Sequence, residues 1–226
     1  MLYLIAIIFI ICLLYGSQWW VKYTFQRYSN SLDHLQGTGG ELARHLLDRF
    51  EMPDVKVEID DRGDHYDPTA KAVRLSTDNY NNKSLTAIAV ATHEVGHAIQ
   101  HHRKESMLAL RGKLVVVASI SEKIGSLAFI LMPIVVGITR IPHLSLVMIL
   151  LVILSMFVAV IVHFVTLPVE WDASFAKALP ILQEGYVSPD ELIAVRKVLR
   201  AAALTYVAAS LAGVLNLWRW LALLRR

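Results

Sequence analysis

His93, Glu94 and His97 stand in the segment SLTAIAVATHEVGHAIQHHR as an H-E-x-x-H set. On a helix, residues four apart share a face, so the two imidazoles can grip one metal ion while Glu94 reaches a water held beside it. This is the donor pattern of a zinc-dependent hydrolase, in which the metal polarises water and a carbonyl and a carboxylate moves the proton. The chain must also supply a helix, a third ligand and a site that water can enter.

The helix is well specified. Ser84 is a suitable N-cap, and from Leu85 to Arg103 there is no proline and one glycine, Gly96, which predicts a helix of about five turns. The apolar stretch before His93 runs only from Leu85 to Ala91, with Thr86 inside it. A membrane span needs about 20 apolar residues, so the motif is expected in a water-facing domain beside the bilayer.

For the third ligand, the metzincin extension is excluded by Gln100 and Arg103, which stand where glycine and histidine would be needed. His101 and His102 are too close to the motif to wrap back on one ion and read as exposed or interfacial residues. Cys12, the single cysteine, lies in the first apolar run, so cysteine ligation is not available. Two carboxylates remain, Glu170 and Glu122. Glu170 is preferred: it follows an apolar hairpin, on a helix that Pro168 could start, where an ionised side chain stands in water. Glu122 is nearer in sequence and stays open. The expected site is gluzincin-like, one Zn2+ held by His93, His97 and Glu170.

These residues sit in an apolar chain. Of 226 residues, 55% are hydrophobic, and the mean hydropathy is +0.49. The surplus lies in long runs, which indicates membrane spans. Residues 1–21 read as a transmembrane anchor: Leu2 to Tyr15 is uncharged, Trp19, Trp20 and Tyr23 form an aromatic belt, and the features of a cleaved leader are missing. Residues 22–112 form the polar, zincin-like domain. Within it TGGE (38–41) offers a capping box for a helix over roughly 40–50, stopped by Pro53. Val55–Ile59 and Ala72–Leu75 read as short extended runs around a turn-rich Arg62–Pro68, a small sheet edge that could take a substrate backbone by strand addition.

Residues 113–167 form a transmembrane hairpin joined by Thr139–Pro142, with Glu122 and Lys123 expected near the interface or against protein, because charges at mid-bilayer cost about 2.5–3.5 kcal/mol each. By parity the helical segment 168–200 returns to the side of 22–112, and 201–226 is a fourth apolar segment. The fold class expected is therefore a mainly α membrane protein of about four transmembrane helices with a zincin-like α+β domain carrying a short sheet edge. Net charge is +3, but the cations flank apolar runs and do not interleave with aromatics, which argues against a nucleic-acid partner. Their bias toward the motif side (Lys22, Arg27, Arg103, Lys104, Arg111, Lys113, Lys177, Arg196, Lys197 and Arg200, against Arg140, Arg225 and Arg226 opposite) places that side in the cytoplasm, while the terminal pair leaves open a re-entrant or interfacial last segment.

The segments TGGELARHLLD (38–48), GDHYDP (63–68), VRLS (73–76), ATHEVGHAIQ (91–100) and LPVEWDAS (167–174), in this order and with the intervening hairpin, resemble the neutral zinc metallopeptidases of the YugP-like group, multi-pass bacterial membrane proteins. The resemblance implies a membrane-anchored zinc endopeptidase of the bacterial cell membrane, acting on proteins or peptides, and it supports Glu170 as the third ligand. The layout is also similar to HtpX-like and CAAX-processing peptidases. In that wider group an Asp four residues after the Glu orients a ligating His; here Ser174 occupies the position. Asp172 lies two residues on, nearly opposite Glu170 on a helix, and could orient a ligand only if the helix presents it differently. Glu94 is the expected general base. His65, Tyr66 and Tyr80 are candidates for transition-state stabilisation by residue type alone. The competing reading is a non-proteolytic, zinc-containing membrane scaffold or adaptor, against which Glu94 argues, since a structural site needs no base.

Overall fold

In the computed structural model the described residues are 16–205, so most of the expected N-terminal anchor and C-terminal segment falls outside them. Residues 16–27 form helix α1. Helix α2 (Gly39–Arg49) begins with the expected capping box: the Thr38 hydroxyl accepts from the Glu41 N–H and the Glu41 carboxylate accepts from the Thr38 N–H. Leu42, Ala43, Leu46 and Leu47 form its buried stripe, and the helix stops as Glu51 turns left-handed (φ 59) ahead of Pro53.

A three-stranded sheet follows, ordered β1-β3-β2, with β1 (Lys56–Ile59) parallel to β3 (Ala72–Leu75) and β2 (His65–Asp67) antiparallel to it. The sequence pattern predicts two extended runs; β2 arises inside the segment read as a turn. Three residues are too few for an alternation to show. Ties at both ends hold the strand in place. Asp64 accepts from the Ser76 N–H, the Ser76 hydroxyl and the Asn79 amide. Asp67 accepts from the Thr69 and Ala70 N–H groups and pairs with Arg74 at 2.7 Å.

After the short helix α3 (Thr77–Asn81), α4 runs from Leu85 to His102, with the Ser84 hydroxyl accepting from the Ala87 N–H at 3.1 Å. Every residue from Leu85 to Gln100 is buried, because α2, α3, β3 and the segment after the hairpin surround it.

Helices α5 (Ser106–Thr139) and α6 (Pro142–Trp171) form the hairpin, turning at Arg140 (φ 53). Both are long and apolar enough to cross a membrane, and they are the two such helices among the described residues. At 1.5 Å per residue they measure about 51 and 45 Å against a hydrocarbon core of about 30 Å, so their ends continue into the globular part. Two expectations change here. Pro168 starts no helix; it lies inside α6, which runs through it to Trp171. Glu122 and Lys123 are exposed on α5, so of the two placements expected for them, near the interface or against protein, the second does not hold.

From Asp172 to Ala178 the chain is wound as a π-helix, and then come α7 (Leu179–Gln183) and α8 (residues 192–205). Val195, Val198 and Leu199 of α8 join the core formed by α2, α4 and α7.

Candidate metal centre

His93, Glu94 and His97 project from α4 into a cavity of about 300 Å³ and are 4%, 7% and 3% exposed. Glu170, from the end of α6, lines the same cavity and is fully buried. Its Oε2 lies 3.1 Å from His97 Nε2 and 3.3 Å from His93 Nε2. One donor atom from each of the three residues falls within 4.8 Å of the others, the only such cluster among the described residues. Glu122 is exposed about 24 Å along α5 from its first turn. It is not part of the group.

The donor atoms are oriented from behind. The Ser174 hydroxyl donates its single proton to the Leu199 carbonyl at 3.1 Å, so it must accept from His93 Nδ1–H at 2.9 Å. That fixes the tautomer and leaves the His93 Nε2 lone pair facing Glu170. For His97 the same is done by Gln100. The Gln100 Nε2 donates to Val169 O at 3.0 Å and to Asp172 Oδ2 at 2.7 Å, which sets the amide orientation and leaves Oε1 to accept from His97 Nδ1–H at 2.8 Å. Such backing of both imidazoles is what a metal site requires of its surroundings, and the residues present fit one zinc ion.

Ser174 thus stands where an Asp was expected and reaches His93 itself. Asp172 touches no histidine; it acts through Gln100, and it also pairs with Lys177, which lies 3.1 Å from Glu105. The approach of the π-helical segment to α4 depends on Gly96. A Cβ there would lie 2.8 Å from the Ala173 carbonyl oxygen, so a larger residue would push Ser174 away from His93.

Glu170 is buried, contrary to the expectation that it stands in water. Burying a carboxylate needs compensation, which comes from the histidines and from Arg111 of α5, whose Nη2 lies 2.9 Å from Glu170 Oε1. Burial raises the Glu94 carboxyl to about 7, against the opposing influence of His93. A carboxylate poised there can both take and return a proton near neutral pH.

His65 and Tyr66 both line the cavity, on β2. His65 Nδ1 donates to Gly63 O at 2.9 Å. The Tyr66 hydroxyl, raised to about 12 mainly by burial, pairs with His101 Nδ1 at 2.7 Å, so His101 is half-buried and engaged instead of exposed. Tyr80 is elsewhere: its ring packs over Gly40 of α2. Sequence reasoning passed over two residues. Gln100, three residues after His97, shares its helical face and carried a readable signal. Arg111 carried none beyond the flank of a span.

The sequence signature of the family described as "Putative neutral zinc metallopeptidase" matches residues 3–225. Among curated proteins, "Putative membrane protease YugP" of Bacillus subtilis (strain 168) is 39% identical over 223 residues, which covers 97% of this chain and 95% of that protein. No solved structure matches.

Proposed function

Because the chain belongs to the neutral zinc metallopeptidase family, we propose that it is a membrane-anchored zinc endopeptidase whose metal is held by His93, His97 and Glu170. The convergence of these three buried donors, each imidazole backed at Nδ1, carries the reading. Zinc, when bound, supplies polarisation of the attacking water and the scissile carbonyl. Glu94 removes the water proton and delivers it to the leaving amine. Ser174 holds His93, while Gln100, backed by Asp172, holds His97. β2 is an edge strand bordering the cavity, so a substrate backbone can add to it in extended form, with His65 and Tyr66 beside the reacting carbonyl.

In this reading residues 1–21 anchor the chain, 22–112 form the zincin-like domain, 113–167 cross and recross the bilayer, 168–200 bring the third ligand, and 201–226 provide a fourth span, with the catalytic side cytoplasmic. The test is Glu94→Gln in the purified, detergent-solubilised chain. Zinc content should match wild type while peptide hydrolysis falls by about 10²–10⁴-fold, the usual contribution of a general base. Full hydrolysis by the variant would overturn the assignment.

A further inference from the structure

The two oxygens of Glu170 have different surroundings. Oε2 faces both histidine Nε2 atoms, whereas Oε1 accepts no hydrogen bond among the described residues and is met by charge alone, an ion pair with the guanidinium of Arg111 at 2.9 Å. Arg111 comes from α5 and Glu170 from α6, so the ion pair joins the two ends of the hairpin at the metal-binding cavity. Arg111 also lines the adjoining cavity of about 840 Å³, placing it in the wall between that space and the histidines.

A free carboxylate beside a divalent ion can bind through one oxygen or both. Hydrolysis requires that one position on the metal stay open for water or a substrate carbonyl, and a chelating carboxylate takes up that room. We infer that Arg111 is a positioning residue that holds Glu170 Oε1 away from the metal, making Glu170 a one-oxygen ligand and keeping the site open. The inference rests on the proposed metal site. What Arg111 brings to Oε1 is a fixed positive charge at close range. A lysine ammonium keeps the charge but carries it on a shorter, more flexible stem, so lysine should substitute only in part.

The test uses the full chain in detergent with Co2+ in place of zinc, because the visible absorption of cobalt weakens as coordination rises from four to five. Wild type should give the strong band of a four-coordinate ion. Arg111→Gln and Arg111→Ala should bind cobalt with a band several-fold weaker, and Arg111→Lys should restore an intermediate one. In the zinc-loaded forms, kcat should fall across the same series with KM little changed. A wild-type cobalt band in the Gln and Ala variants would overturn the inference while leaving the metal site standing. Should Ala fail to fold, Gln and Lys decide by the same criterion. Failure of wild type to bind cobalt at all would overturn both the inference and the proposed function.

Discussion

Helix α4 and the α5–α6 hairpin are both rich in aliphatic residues, yet they use them in opposite directions. In α4 the aliphatic residues are packed by protein on every side, and the polar groups among them are paired: Thr86 with Phe25 O, Thr92 with Ile88 O, His93 with Ser174 and His97 with Gln100. Along α5 the buried residues are Gly125, Ala128 and Met132, while Val116, Ile120, Leu127, Ile130 and Ile134 are among those facing outward, as a bilayer-facing helix requires. The two also meet differently. α4 touches the π-helical segment backbone to backbone at Gly96, and α5 meets α6 where Gly125 faces Ser155. The candidate metal-binding group lies where these regions join, with His93 and His97 from the protein-packed helix and Glu170, with its arginine, from the ends of the hairpin. Apolar composition alone does not say which solvent a helix faces; the partners of its polar residues do.

The largest expected effect separates the two acids of the hairpin. Glu170→Ala should abolish stoichiometric zinc binding, whereas Glu122→Ala, on the outward face of α5, should leave zinc content unchanged. Zinc analysis of both purified variants checks this, and zinc loss in the Glu122 variant would undo the assignment.

The two kinds of helix packing can be compared through their glycines. Gly96→Ala should destabilise the protein by about 1–3 kcal/mol, the usual range for overpacking. Gly137→Ala, where nothing lies within 4 Å of the new Cβ, should lower stability little if at all. Thermal unfolding of the two variants in the same detergent would show the difference, and equal losses would contradict the close approach at Gly96.

Removing the hydroxyl behind His93 should matter less than removing a ligand. Ser174→Ala should weaken zinc affinity about 10–100-fold, the range for residues that orient a ligand, read by competition with a chromogenic chelator. Affinity equal to wild type would show that His93 needs no such hold.

The smallest effect lies in the sheet. Asp67 is held below the ordinary carboxylate range, chiefly by the Ala70 N–H with help from Thr69 and Arg74, against the opposing influence of burial. A depressed folded pKa contributes stability that is present above the unfolded value near 4 and is lost as pH falls through the folded one. Asp67→Asn should therefore narrow the stability difference between pH 6 and pH 3, measured by denaturant unfolding. An unchanged pH dependence would argue against the cap.

Much of this was legible along the chain where the determining contacts are local. The Thr38–Glu41 box, the Ser84 cap and the turn at Arg140 each depend on residues a few positions apart, and each forms where the sequence puts it. β2 was not legible, because it exists through pairing with β3 and through Asp64, which reaches across twelve residues to Ser76. Pro168 was misread for a related reason. A proline inside a helix is tolerated when the surrounding packing holds the helix together, and α6 is held against α5 and the π-helical segment.

The sequence by itself determined the H-E-x-x-H group of His93, Glu94 and His97, the helix that presents it, and the hairpin that returns the chain to its side, since helical periodicity, caps and apolar run length are properties of neighbouring residues. The tertiary structure decided that Glu170 is buried, that Ser174 and not an acid holds His93, that Asp172 works through Gln100, and that Arg111 takes the second oxygen of Glu170. His93 and Ser174 are separated by 81 positions and Gln100 and Asp172 by 72. Contacts at that range depend on which helix faces meet and how closely, and a glycine allowing backbones to touch at one point is what sets both.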